Sequence, residues 1–423
     1  MIPAILVPLC TPHTALPVPI VAATSSSLSG RSTPGVDVLL HAARTHCSPD
    51  RIAPDRLNGV DWTWVMEQAA HHGIEPLLHD SLQRLGVQGV PASVRDQLAY
   101  RARGLAMRSM QQAGELRRIA AALDADGCDV IPIKGPVLAP LAYGNLAYRQ
   151  CLDLDLLVRP ESFSEVTTRL QACGYEPLRD LEPDETAAFI AWHDSFELVH
   201  PDKKIIVELH RDFFPGIHAP VLDQDEVWKR HVRIAFAGGE VRGLALEDLV
   251  IYLCAHGTKH RWAKLKWLAD LAGLVHRQPA IDWAVVRARS RRAGALRMVA
   301  LGAWLAHRLL EAPFPQALTK GNGPDDMVRE LAQSIYEKWL FAGPDTRVDA
   351  RDAFWFHLRE RERWRDRVPY LMHTLKLALT PSEADREAVR LPESLSALYY
   401  VVRPFRRLWE LITNPNRNAP DTP

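Results

Sequence analysis

Within RQCLDLDLLV, residues 149–158, two carboxylates, Asp153 and Asp155, alternate with leucines. Acids rarely enter an apolar run without a partner or a metal, so the stretch is either a half-exposed edge strand or a site. Read as a strand, it sets Asp153 and Asp155 on one face, about 7 Å apart. Leu154 and Leu156 turn to the other face, and Leu152, Leu157 and Val158 count toward the same core. Two like charges so placed repel, and a divalent cation relieves the repulsion. A hard oxygen-rich site suits Mg²⁺ or Mn²⁺, with substrate phosphates and water completing the shell.

A third carboxylate on a neighbouring strand would complete a two-metal site. The run KKIIVELH offers Glu208 between the core-facing Val207 and Leu209, with His210 on the face of Glu208. Upstream, Ile131-Pro132-Ile133-Lys134-Gly135-Pro136 ends a strand in a glycine turn and begins a helix. Backbone N–H groups and a positive helix end can hold phosphate there, and Lys134 adds a mobile charge. Arg149 is suited to a two-pronged phosphate contact; a salt bridge to Asp153 is the alternative. His256 and His260 share a helical face in AHGTKHRW, which permits metal ligation. Lacking a third ligand at zinc spacing, they read as the lining of a nucleotide or acceptor pocket with Lys259 nearby, or as ordinary histidines between helices. Trp262 and Trp267 read as core.

The elements that must position these residues follow from pattern. From 36 to 127 the periodicity is helical, ending in a long segment after Pro91 whose Leu98, Leu105, Met110, Leu116, Ile119 and Leu123 recur on one face, with Gly127 as a stop. CDVIPIKG and LDLDLLV are strands around a short helix. A helix follows at about Glu161 to Ala172. SFELVH and KKIIVELH then form a hairpin about Pro201-Asp202. The expected fold is α+β: a small mixed sheet of four or five strands at 128–235, flanked by helical regions at 36–127 and 236–413. Residues 1–35 are expected as a disordered leader, or as residues upstream of the true start, and 414–423 as a disordered tail.

The chain has 423 residues, 47% of them hydrophobic, with 51 basic and 51 acidic side chains. That balance gives no global field for a polyanionic partner, so RNA is neither implied nor excluded. The Arg-rich RDAFWFHLRERERWRDR alternates charge sign, as an ion-paired solvated helix does. SLSALYYVVRPFRRLWELI is expected to pack within the chain, with a membrane surface or a partner as the alternative. Six cysteines (Cys10, Cys47, Cys128, Cys151, Cys173, Cys254) without a C-x-x-C pair fit a reducing cytoplasm. No apolar run reaches the roughly 18 residues of a membrane span, and no Lys or Arg precedes Arg31 to serve a signal peptide.

The order of these features resembles the nucleotidyltransferase superfamily that includes DNA polymerase beta. More closely, Lys134-Gly135, Arg149 through Val158, Gly174-Tyr175, Val207-Glu208-Leu209-His210 and His256 through Trp262 resemble an uncharacterised bacterial nucleotidyltransferase family, over about residues 36 to 410. The resemblance implies transfer of a nucleoside monophosphate from an NTP to an acceptor hydroxyl on a small molecule, a protein or RNA. It implies Asp153, Asp155 and Glu208 as metal ligands and catalytic groups. Lys134, Gly135, Arg149, His210, His256, Lys259 and His260 would then bind nucleotide. One departure stands out: the superfamily's Gly-Ser turn is Gly135-Pro136 here, without the hydroxyl and one N–H. A nucleotide-binding protein without activity and a hydrolase using the same metals are the competing readings.

Overall fold

The computed structural model describes residues 33–44, 57–84, 89–179, 195–214, 222–315, 318, 326–342 and 349–380, with positions 385, 388, 389, 398–400, 402, 403 and 406 beyond. The expected leader up to residue 32, the tail at 414–423 and most of 394–412 lie outside the described residues.

The strands are β1 (Val130–Pro132), β2 (Asp153–Val158), β3 (Glu176–Pro177), β4 (Ser195–His200) and β5 (Ile205–His210), in one sheet ordered β1-β2-β5-β4-β3. Only the β2–β5 pairing is parallel among the described strands. A parallel pair needs a crossover rather than a tight turn, and helix α6 (Phe163–Ala172) lies within it. The β4–β5 hairpin turns where Pro201-Asp202 place it. A second sheet, β6 (Val232–Phe236) with β7 (Gly239–Gly243), is a hairpin the sequence pattern did not signal. Only Phe236 and Val241 in it are buried apolar residues, too few to make the period-2 signal.

Helices α1 (Pro34–Arg44), α2 (Trp62–His72), α3 (Glu75–Arg84) and α4 (Ala92–Ala125) precede the sheet. Helix α5 (Leu138–Tyr143) lies between β1 and β2, and α7 (Gln224–Arg230) precedes β6. Then follow α8 (Leu246–Lys259), α9 (Leu265–Arg277), α10 (Trp283–Ala293), α11 (Leu296–Leu310), α12 (Asp326–Ile335), α13 (Ala350–Glu360) and α14 (Trp364–Leu379). Termini obey local chemistry: Asp61 caps α2 by accepting from the Trp64 N–H at 3.1 Å, and Gly73 closes it in the left-handed region. No helix among the described residues is long and apolar enough to cross a membrane.

Two apolar clusters sandwich the sheet. One unites α1–α3 with α8–α12 and one sheet face; the other packs α6 and the end of α4 on Leu154, Leu156, Val207 and Leu209. Helix α4 serves both, through Leu98 in the first and Leu116, Ile119 and Leu123 in the second. Over 34 residues its buried stripe must therefore change direction. That is why Met110, expected inside, is 55% exposed, and Leu105 is half-buried. Leu152 is likewise 56% exposed because β2 begins only at Asp153.

Gly174-Tyr175 has a packing role. Tyr175 is buried and donates to Glu115 Oε1 of α4 at 2.9 Å, and Lys203 of the β4–β5 turn reaches the same carboxylate at 2.8 Å. Arg118 completes the set at 2.7 Å. Burial opposes the Glu115 charge, yet Arg118, Lys203 and Tyr175 hold its carboxyl down at about 2. A depressed folded value stabilises above the unfolded value and is lost as pH falls. Stability measured by urea unfolding should therefore drop between about pH 4.5 and 2, and Glu115→Gln should flatten that part of the profile.

Candidate active site

The parallel register pairs Asp155 with Glu208, and the antiparallel one pairs Glu208 with Glu197. Directly opposed residues share a sheet face, so a row of carboxylates crosses three strands, with Asp153 at its edge. Sequence periodicity had placed Asp153, Asp155 and Glu208 on compatible faces. The structure brings Asp155 and Glu208 side by side. Glu197 had a readable signal, since SFELVH alternates with Phe196 and Leu198 inward, but its place in the row depends on strand order.

Like charges so arranged need counter-charges. Lys134 Nζ lies 2.8 Å from Asp155 Oδ1, and His210 Nε2 lies 3.0 Å from the same oxygen and 3.4 Å from Glu208 Oε2. Burial penalises the Asp155 charge, but Lys134 and His210 outweigh it and bring the carboxyl to about 2. Burial likewise works against His210, while Asp155 and Glu208 raise it to about 9, so without a cation the imidazole is protonated at neutral pH and would have to give up its Nε2 proton to ligate one. Asp153 behaves oppositely: burial and the Asp155 charge push it above the usual carboxylate range. It has no ion pair among the described residues.

Arg149 is engaged elsewhere than expected. Its Nε lies 3.0 Å from both carboxylate oxygens of Asp270 on α9, and its Nη1 donates to the Gly135 carbonyl at 3.0 Å. Tyr143 of α5 donates to Asp270 Oδ1 at 2.8 Å, and Ser109 of α4 donates to the Arg149 carbonyl at 3.0 Å. The ion pair of this guanidinium is with Asp270 and not with Asp153. It joins the glycine turn, the head of β2 and the helical region. At the turn, Gly135 has φ +76°, which favours glycine, and Pro136 opens a short 3₁₀ turn rather than an α-helix.

The last turn of α8 brings His256, Lys259 and His260 beside the carboxylates. The His256 ring stacks on buried Tyr252 at 5.7 Å and meets the Trp267 edge at 5.6 Å; His260 lies 5.1 Å from Trp267. Trp267 is half-buried at this wall and packs against the larger apolar cluster. Burial lowers both histidines, with Lys134 next for His256 and Lys259 next for His260, which sits at about 4. Both are neutral at pH 7. Trp262 is fully buried; it and Arg261 take left-handed backbone at φ +52°, a conformation kept only where packing over-determines it. The packing here is the indole against Gly257 and Gly302: a Cβ would fall 2.6 Å from it at Gly257 and 2.9 Å at Gly302.

Asp155, Glu208 and His210 place ligand atoms within 4.8 Å of one another. Asp155 Oδ2 is buried without a hydrogen-bond partner. Buried orphan acceptors are costly, so the donor set fits a divalent cation. It mixes imidazole with carboxylate, which admits Mn²⁺ as readily as Mg²⁺. Sequence reasoning missed Asp270, Tyr252, Glu197 and Lys266, none of which shares a local motif with the acid pair. The four described cysteines are free.

A family model described as an uncharacterised nucleotidyltransferase matches residues 58–311. That span contains the carboxylate row, the Arg149–Asp270 pair and the aromatic wall. No curated protein matches the chain.

Removing one member of a buried ion pair strands the other, at a cost of ~3–5 kcal/mol. Asp270→Ala should lower stability by that amount in chemical denaturation, and Asp153→Ala, which leaves Arg149 paired, should cost far less. Gly257→Ala forces Trp262 out of its seat and should cost ~1–3 kcal/mol by the same measurement.

Proposed function

The chain belongs to the uncharacterised nucleotidyltransferase family, and from that premise we propose that it is a metal-dependent enzyme moving a nucleoside monophosphate from an NTP to an acceptor hydroxyl, with release of pyrophosphate. The observation that carries this reading is the convergence of Asp155, Glu208 and His210 on one sheet face around an orphaned Asp155 oxygen. Asp155, Glu208 and His210 are the residues to hold the cation, with Asp153 at the edge of the same row. When bound, Mg²⁺ or Mn²⁺ would neutralise charge on the transferred phosphate and acidify the acceptor hydroxyl.

The acceptor oxygen bonds to the α-phosphorus as the bond to the pyrophosphate oxygen breaks. Asp153, unpaired and raised by burial and by Asp155, is placed to take the hydroxyl proton. Lys134, beside Asp155, would face phosphate charge. Arg149 acts by positioning the Gly135 turn through its carbonyl. His260 and Trp267, inclined by 30°, offer a face on which a base can stack, with His256 edge-on to Trp267 and buried Tyr252 behind it, the neutral imidazoles avoiding repulsion from Lys134. The acceptor class stays open among small hydroxylated metabolites, protein side chains and RNA.

A second reading, a nucleotide-binding protein without transfer, draws on the Gly135-Pro136 turn alone. One experiment separates them: α-labelled NTPs are incubated with the protein, Mg²⁺ or Mn²⁺ and lysate, then resolved into protein, RNA and small-molecule pools. Label should move into one pool. Asp155→Asn should cut the rate about a thousandfold, since a lost cation forfeits several kcal/mol at ~1.4 kcal/mol per decade. Metal-dependent NTP binding with no labelled acceptor would sink the enzyme reading, and free labelled monophosphate would identify a hydrolase.

A further inference from the structure

The usual places for a polyphosphate are poorly furnished here. Pro136 has no N–H, the turn has no hydroxyl, and α5 is only six residues long, too short for a useful end charge. Arg149 is committed to Asp270. Lys134 alone remains at the turn.

Two other lysines stand near the row. Lys259 ends α8, in the same turn as His256, and Lys266 opens α9, next to Trp267. Among the described lysines these two are sheltered yet have neither ion pair nor hydrogen bond: Lys134, Lys203, Lys264 and Lys338 are partnered, and Lys204, Lys229 and Lys376 are exposed. The stem of Lys266 packs over Gly73, where a Cβ would lie 2.9 Å from its Cδ. Glycine at 73 thus leaves room for that stem, and its ammonium is close enough to Asp153, Asp270 and Arg149 to feel their charges. Lys259 feels Lys134 and Glu208 instead. Lys259 lies between His256 and His260 in sequence, and the rings of both meet Trp267, the neighbour of Lys266, so the two lysines border the same aromatic wall.

We propose that Lys259 and Lys266, which border the aromatic wall, hold the polyphosphate of the substrate, supplying from the helical region the contacts that Gly135-Pro136 lacks. Sheltered ammoniums without partners carry a desolvation cost that an anionic ligand removes, and charge-assisted contacts to phosphate are the strong kind. The assignment rests on the nucleotidyltransferase reading and goes beyond it by moving the phosphate site off the turn. It also gives the Arg149–Asp270 pair a purpose, since that pair ties α9, and so Lys266, to the head of β2.

Calorimetric titration of the full chain with inorganic triphosphate in the presence of Mn²⁺, beside a titration with Mn²⁺ alone, tests this. Lys259→Met and Lys266→Met, which keep the apolar stems, should each weaken triphosphate about tenfold or more, with Mn²⁺ affinity and Tm unchanged and Lys266→Arg retaining most of the binding. Triphosphate affinity within about twofold of wild type in both Met variants, with Lys134→Met abolishing it, overturns the proposal and leaves the enzyme reading standing. Equal losses of Mn²⁺ affinity or of Tm in the Met variants would mark the lysines as structural and also overturn it. Wild-type protein that binds Mn²⁺ but neither triphosphate nor any NTP defeats the enzyme reading itself.

Discussion

Asp155 and Glu208 oppose each other on adjacent parallel strands, with Glu197 beyond, and their repulsion has to be met inside the protein because Asp155 is only 1% exposed. Much of the surrounding architecture follows from that requirement. Lys134 must come from the end of β1 and His210 from the end of β5, so the strands on either side of the repulsion supply its counter-charges. The orphaned Asp155 oxygen shows that neutralisation by the protein stops one ligand short.

The second constraint is how a three-strand row of side chains is kept in register with helices far away in sequence. Arg149 does this, through a network of five residues: Asp270, with Tyr143 on it, and Gly135, Cys151 and Ser109. Those groups belong to the turn, α4, α5, the approach to β2 and α9. Because the first apolar cluster joins α1–α3 to α8–α12, the helices before and after the sheet make one body around the row. Trp262, seated against two glycines, then fixes where the last turn of α8 points, and so where the aromatic wall stands.

Legibility divided along the same line. The D-x-D strand, the hairpin, the glycine turn and the partnership of Glu208 with the acid pair could be read from local periodicity, because a two-residue alternation survives in the letters. Leu152 and Met110 were misread for a shared reason: an apolar side chain next to a site, or on a helix that changes partners, loses the link between hydrophobicity and burial. Asp153 was the alternative partner for Arg149 because it is near in sequence; the partner in the structure, Asp270, lies on α9.

By itself the sequence determined the chemistry and its local frame: which residues carry charge, which faces alternate, where chain reversal is cheap, and the order of motifs that the nucleotidyltransferase family shares. Tertiary structure alone decided which of those charges meet. The β2–β5 register put Glu208 and not Ile206 across from Asp155, and the packing of α9 gave Arg149 to Asp270. Lys259 at the end of α8 and Lys266 at the start of α9 are left without an ion pair among the described residues. The physical reason is range: periodicity and turn chemistry act over a few residues, whereas a Coulomb partner is chosen by distance in space, which no local pattern encodes.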